Sequence, residues 1–124
     1  MTNLWAAWIG FLLGCLSGAI PGLFFFNENW IGGYSSWSRR MIRLAHIAFF
    51  GIGFINMAFC LTVRYLDIRN GITAPSYLLL VAAITMPVVC YLSAYRAIFR
   101  HLFFIPAAGL TVSIALVLWR ISAL

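Results

Sequence analysis

Lysine is absent from this 124-residue chain, and only two acidic residues occur, Glu28 and Asp67. Long apolar runs hold no ionisable carboxylate or amine in their interiors. A coupled ion or proton carrier acting alone usually needs at least one such group along its path, so the sequence argues against that class. Two acids at opposite ends of apolar runs cannot form a carboxylate dyad. No serine has a histidine and an acid placed to converge on it. The chain therefore reads as a non-enzyme. Cysteine is scarce as well. Cys15, Cys60 and Cys90 make an odd set with no C-x-x-C spacing, which argues against disulfides and a zinc site. All three fall inside apolar runs, where a thiol behaves as a small packing group. No metal ligand set is expected.

What remains is overwhelmingly apolar: 65% of residues are hydrophobic and the mean hydropathy is +1.03. Apolar runs of about 20 residues identify transmembrane helices. Four are expected, at residues 4–26, 41–63, 76–95 and 102–119. The expected fold is an all-α integral membrane protein, a single domain of four transmembrane helices in an antiparallel helical bundle. The short connections leave no room for a soluble head. Leu12-Leu13-Gly14-Cys15 is similar to a bacterial lipoprotein cleavage box. The residues before it carry no positive charge, which a signal peptide requires, so an uncleaved helix is the expected reading.

The net charge of +6 comes entirely from arginine. In a soluble protein this balance would point to nucleic acid. Here every arginine sits at or near a helix end, so lipid headgroups are the expected partners and nucleic acid is not. Trp5, Trp8, Trp30, Tyr34, Trp37, Tyr65, Tyr77, Tyr91, Tyr95 and Trp119 mark the same boundaries, where amphipathic rings prefer to lie. Arg39, Arg40, Arg43, Arg96 and Arg100 fall at one face, and Arg64, Arg69 and Arg120 at the other. Positive residues favour the cytoplasmic side. This bias places both termini outside, in a multi-pass protein of the bacterial inner membrane.

Gly10, Gly14, Gly18 and Gly22 follow one another at four-residue spacing in the first run. Small residues at that spacing let a second helix backbone approach closely. Each four-residue step turns by about 40°, so the row drifts around the helix and suits a tilted crossing or two successive neighbours. Phe11 and Leu12 are expected to face lipid. Gly109 and Ser113 form a shorter pair of the same kind. Asn56, deep in the second run, is expected to bond another helix. Asp67 is expected to form a surface ion pair with Arg64 or Arg69. Pro87 is expected to bend the third helix.

Two histidines offer the remaining chemistry. His46 lies nearly one turn into the second run and His101 opens the fourth. Helices two and four run in the same direction in this topology, so both imidazoles approach one membrane face. Paired histidines on separate helices suit the axial positions of a b-type haem, and a single one suits a (bacterio)chlorophyll-type magnesium. Three functions stay open. The first is a small non-catalytic accessory subunit of a larger membrane complex, respiratory or photosynthetic among the candidates, with other integral-membrane subunits as partners and no cofactor of its own. The second is an electron-transfer subunit that binds haem b or chlorophyll through His46, with or without His101. The third is an oligomeric small channel or exporter, disfavoured by the missing intramembrane acid.

Overall fold

The computed structural model describes residues 2–124. Four helices carry the chain: α1 (Thr2–Gly22), α2 (Trp37–Tyr65), α3 (Thr73–Tyr95) and α4 (Phe104–Ser122). A 3-10 turn, Trp30–Gly32, interrupts the first connection, and a longer 3-10 segment, Ala97–Phe103, leads into α4. No strand occurs among the described residues. α1, α2, α3 and the continuous stretch Ala97–Ser122 are each long and apolar enough to cross a membrane.

The helix ends follow local chemistry. The apolar run continues to Phe26, but α1 stops at Gly22. Pro21 has no N–H to continue the ladder, and Gly22 favours no helix. The chain then tightens into turns, with Leu23 N–H shared between the Ala19 and Ile20 carbonyls. α2 starts at Trp37, before the apolar run itself, because Ser36 caps it. Ser36 is extended, and its Oγ accepts the Arg39 N–H at 3.2 Å, a typical N-cap. Pro75 and Pro106 stand within the first turns of α3 and α4, where a missing N–H leaves no helical bond unmade.

Packing follows chain order. α1 lies along α2, α2 along α3 and α3 along α4, while α1 touches α3 over a shorter stretch. The contacts pair residues in opposite order along α1 and α2 and along α3 and α4. Asn3 meets Asn56 and Gly18 meets His46; Ser113 meets Pro75 and Gly109 meets Leu78. α4 rests mainly on α3, so the outer faces of α1 and α4 carry many of the exposed large apolar side chains.

Gly10, Gly14 and Gly18 all lie against α2. A Cβ at Gly10 would stand 3.1 Å from the Phe49 carbonyl oxygen. At Gly14 it would stand 2.6 Å from the Phe50 ring, and at Gly18 2.5 Å from His46 Cε1. At Gly22 it would meet nothing within 4 Å. The drift of the row explains this: by its fourth member the glycine has turned out of the seam. α2 answers with a glycine of its own. Gly53 receives the Phe11 ring, to which a Cβ there would stand 2.8 Å away. Phe11 is thus part of the seam and not a lipid-facing residue. Its ring lies 4.8 Å from that of Phe54 and 5.6 Å from that of Trp8, centre to centre. Leu12 is exposed.

Candidate functional site

A polar knot joins all four helices at the end where α1 begins. Asn3 Nδ2 donates to Asn56 Oδ1 at 2.8 Å and to the Ser76 carbonyl at 3.2 Å. Ser76 Oγ donates back to Asn3 Oδ1, and Asn56 Nδ2 donates to the Ile52 carbonyl at 3.0 Å. At the residue before Ser76, Ser113 of α4 donates to the Pro75 carbonyl at 2.9 Å. Asn3, Asn56 and Ser113 are buried. An amide that left water on folding costs free energy unless it is bonded, and here both amides are satisfied by other helices or by their own backbone. Asn56 was legible as an interhelical donor. Asn3 was not, because a polar residue so near the chain start reads as interfacial. α2 overhangs α1 beyond the knot, leaving a cavity of about 580 Å³ beside Thr2, Asn3, Phe59, Arg64, Thr73 and Tyr77.

At the opposite end the start of α2 caps the end of α3. The last carbonyls of a helix have no partner within it. Leu92 O accepts from Arg96 N–H at 2.8 Å, Ser93 O from the Trp37 indole at 2.8 Å, and Ala94 O from Ser38 Oγ at 2.8 Å. Trp37 therefore does more than mark an interface. The Ser93 hydroxyl, buried nearby, has no partner.

Arg39 is the unexpected member of the arginine cluster, with only 3% of its surface exposed. Its guanidinium gathers the first connection around itself. Nη1 donates to the Glu28 carbonyl at 3.4 Å, and Nη2 to those of Phe25 and Asn27 at 3.3 and 3.1 Å. The Phe25 and Trp30 rings face it at 5.1 and 5.6 Å. A buried cation is costly unless its donors are met. Carbonyl dipoles and two ring faces supply that compensation, although Nε stays without a partner. Arg43 lies 4.2 Å from the Tyr34 ring and donates to the Tyr34 carbonyl at 3.2 Å. At the other end Asp67 pairs with Arg69 at 3.0 Å rather than with Arg64. Both partners are largely exposed, so the pair adds little.

His46 sits in the α1–α2 seam. Its Nδ1 lies 2.8 Å from the Gly14 carbonyl and 3.4 Å from Ser17 Oγ. A carbonyl only accepts, so Nδ1 carries the proton in that bond, and in the neutral ring Nε2 holds a lone pair. Nε2 has no protein partner and is not among the sealed polar atoms. The ring stands edge-on to Phe50 at 5.3 Å. Beside it is a cavity of about 330 Å³ lined by Ser17, Gly18, Pro21, Gly22, Phe25, Ile42, Arg43 and Ile47. His101 is exposed on the 3-10 segment, which rests on α3 and α4. The two histidines are not brought together by any described contact. Cys90 is buried, Cys60 half-buried and Cys15 exposed. No cluster of three metal-ligating side chains occurs among the described residues.

A third cavity, of about 410 Å³, is almost wholly apolar. It opens where α1 and α3 part over α2, between Gly10 and Gly53 on one side and Ile84, Pro87 and Tyr91 on the other. The site-bearing features are thus the knot, the Arg39 hub and the His46 cavity. Comparison with family models, with curated proteins and with solved structures finds no match for this chain.

Proposed function

We propose that this chain is a small accessory subunit of a larger integral-membrane complex. Its four helices would cross the membrane in alternating directions, as an open row that other subunits complete. Partner helices, not a substrate, are its principal ligands, and its exposed arginines meet lipid headgroups at the two faces.

The observation that carries this reading is the outward face of α4. Gly109 and Ser113 turn toward α3. At 100° per residue, Thr111 points about 160° away from Ser113, with Ala107 and Ala115 in line with it one turn on either side. Ala107, Ala108, Thr111 and Ala115 are all exposed. Thr111 Oγ1 bonds its own helix, to the Ala107 carbonyl at 2.8 Å, so it needs no water. A face made only for lipid tolerates Leu, Ile and Phe along its length. Small residues spaced one turn apart instead favour close backbone approach and the dispersion contacts that drive helix association in a bilayer. α4 therefore carries two such faces and fills one of them within the chain.

The test is isolation of the tagged full chain in a mild detergent, with identification of what co-purifies. Stoichiometric membrane-protein partners are expected, and loss of those partners should leave a chain prone to aggregation. A stable, monodisperse monomer recovered without partners would overturn the subunit reading.

A further inference from the structure

The cavity beside His46 has the donor and acceptor pattern of a ligand site. Gly18 leaves the imidazole room to lie flat on α1, since a Cβ there would collide with it at 2.5 Å. Gly22, one turn later, leaves the cavity open, with nothing within 4 Å of a Cβ. Pro21 brings no N–H to the Ser17 carbonyl four residues earlier, and both residues line the cavity. Helical carbonyls point toward the C-terminus, so that oxygen, lacking its usual helical bond, lies toward the cavity end of α1. Nε2 of His46 is a second acceptor without a protein partner. Ser17 and His46 both line one largely apolar space, together with Phe25, Ile42 and Ile47.

The surroundings select the ligand's charge. The cavity sits at the C-terminal turn of α1, the negative end of the helix dipole, which disfavours an anion. Arg43 stands at its rim, which disfavours a cation, and its guanidinium is already engaged by the Tyr34 carbonyl and ring. No second histidine, cysteine or carboxylate lines the space to complete a metal site.

We propose that the Ser17–Gly22–His46 cavity binds a neutral, membrane-soluble amphiphile through its hydroxyl, which donates to His46 Nε2. Either a quinol or a hydroxylated lipid supplies that chemistry. The bond of Nδ1–H to the Gly14 carbonyl fixes the tautomer. Turning the proton to Nε2 would set a lone pair against a carbonyl oxygen at 2.8 Å. With the proton held on Nδ1, the site discriminates against a quinone, whose carbonyl oxygens only accept.

The experiment uses the full chain with its co-purifying partners in nanodiscs. Binding of decyl-hydroquinone is measured under anaerobic conditions and compared with that of its dimethyl ether. Loss of the donated hydrogen bond should weaken the ether by about tenfold. The imidazole Nε2 resonance of His46, read by ¹⁵N NMR, should move with the hydroquinone and stay still with the ether. Gly22→Leu fills the cavity from a position that touches nothing, so helix content should be kept while the saturable binding is lost. 1-Decanol serves as a competitor. Displacement at similar concentration assigns the site to a hydroxylated lipid, and failure to displace assigns it to a quinol. Equal binding of hydroquinone and ether, undiminished binding in Gly22→Leu, or displacement by decyl methyl ether, which has no hydroxyl to donate, would overturn the proposal.

Discussion

Replacing Gly18 by alanine adds one methyl group, and its cost is set by what that methyl meets. The new Cβ would lie 2.5 Å from His46 Cε1 and 2.8 Å from Nδ1. Neither atom is the free end of a flexible chain. The ring is tied to the Gly14 carbonyl at 2.8 Å and stands edge-on to Phe50, while Phe50 in turn lies parallel to Phe11 at 6.1 Å. Relief requires either that α1 lift from α2 or that the imidazole swing away and give up its bond. Overpacking of this kind costs about 1–3 kcal/mol, and the lost hydrogen bond adds about 1 kcal/mol. The same substitution at Gly22 meets nothing and should be neutral or slightly stabilising, because alanine is the better helix former by about 1 kcal/mol. Reversible unfolding in mixed micelles gives both values. The decisive comparison is a double-mutant cycle with His46→Ala. Once the ring is gone Gly18→Ala should cost little, so the two changes should be non-additive by at least about 1 kcal/mol. Additive costs, or equal effects at Gly18 and Gly22, would refute the close contact between this glycine and this ring.

Three further outcomes follow from the geometry. Asn3→Ala strips a partner from Asn56 and from Ser76, so it should destabilise by about 1 kcal/mol; Asn56→Leu should then cost less in that background than alone, measured by the same unfolding assay. Arg39→Lys keeps the charge but not the fork that spans three carbonyls, and should lose about 2 kcal/mol. It should also speed hydrogen exchange and proteolytic cleavage in residues 27–36, whereas Arg40→Lys should leave both unchanged. Asp67→Asn breaks an exposed pair and should shift stability by less than about 0.5 kcal/mol at moderate salt.

The four helices were legible because hydropathy over 20 residues needs no knowledge of neighbours. Their ends were less so. Residues 37–40 carry two arginines and looked like loop, yet Ser36 caps them into α2 and the arginines spread over aromatic rings and carbonyls. Residues 23–26 looked like helix, yet Pro21 and Gly22 end the ladder before them. The glycine spacing pointed to a close approach, and three of the four residues lie against α2; the fourth depends on how far the row has drifted, which only the crossing of two helices decides. Phe11 shows the same limit. One residue from Gly10, it looked outward, but Gly53 makes a slot for it on α2. The pairing of Asn3 with Asn56 depends on the axial offset between α1 and α2, about 13 Å at the end where α2 overhangs. No local pattern encodes that offset. His46 was singled out by residue type and by its place nearly one turn into the second run. The fixed tautomer, the unclaimed Nε2 and the cavity beside it come from the helix packing.

The subunit reading stands or falls on what covers the outward face of α4. A photo-crosslinking residue placed at Leu118, which is already large, 61% exposed and close to the line of Thr111 and Ala115, probes that face without filling the gap between the small residues. Irradiation of intact membranes should give one discrete, heavier adduct containing a second membrane protein, and Thr111→Leu should abolish it. Adducts to lipid alone, unchanged by Thr111→Leu, would contradict the reading.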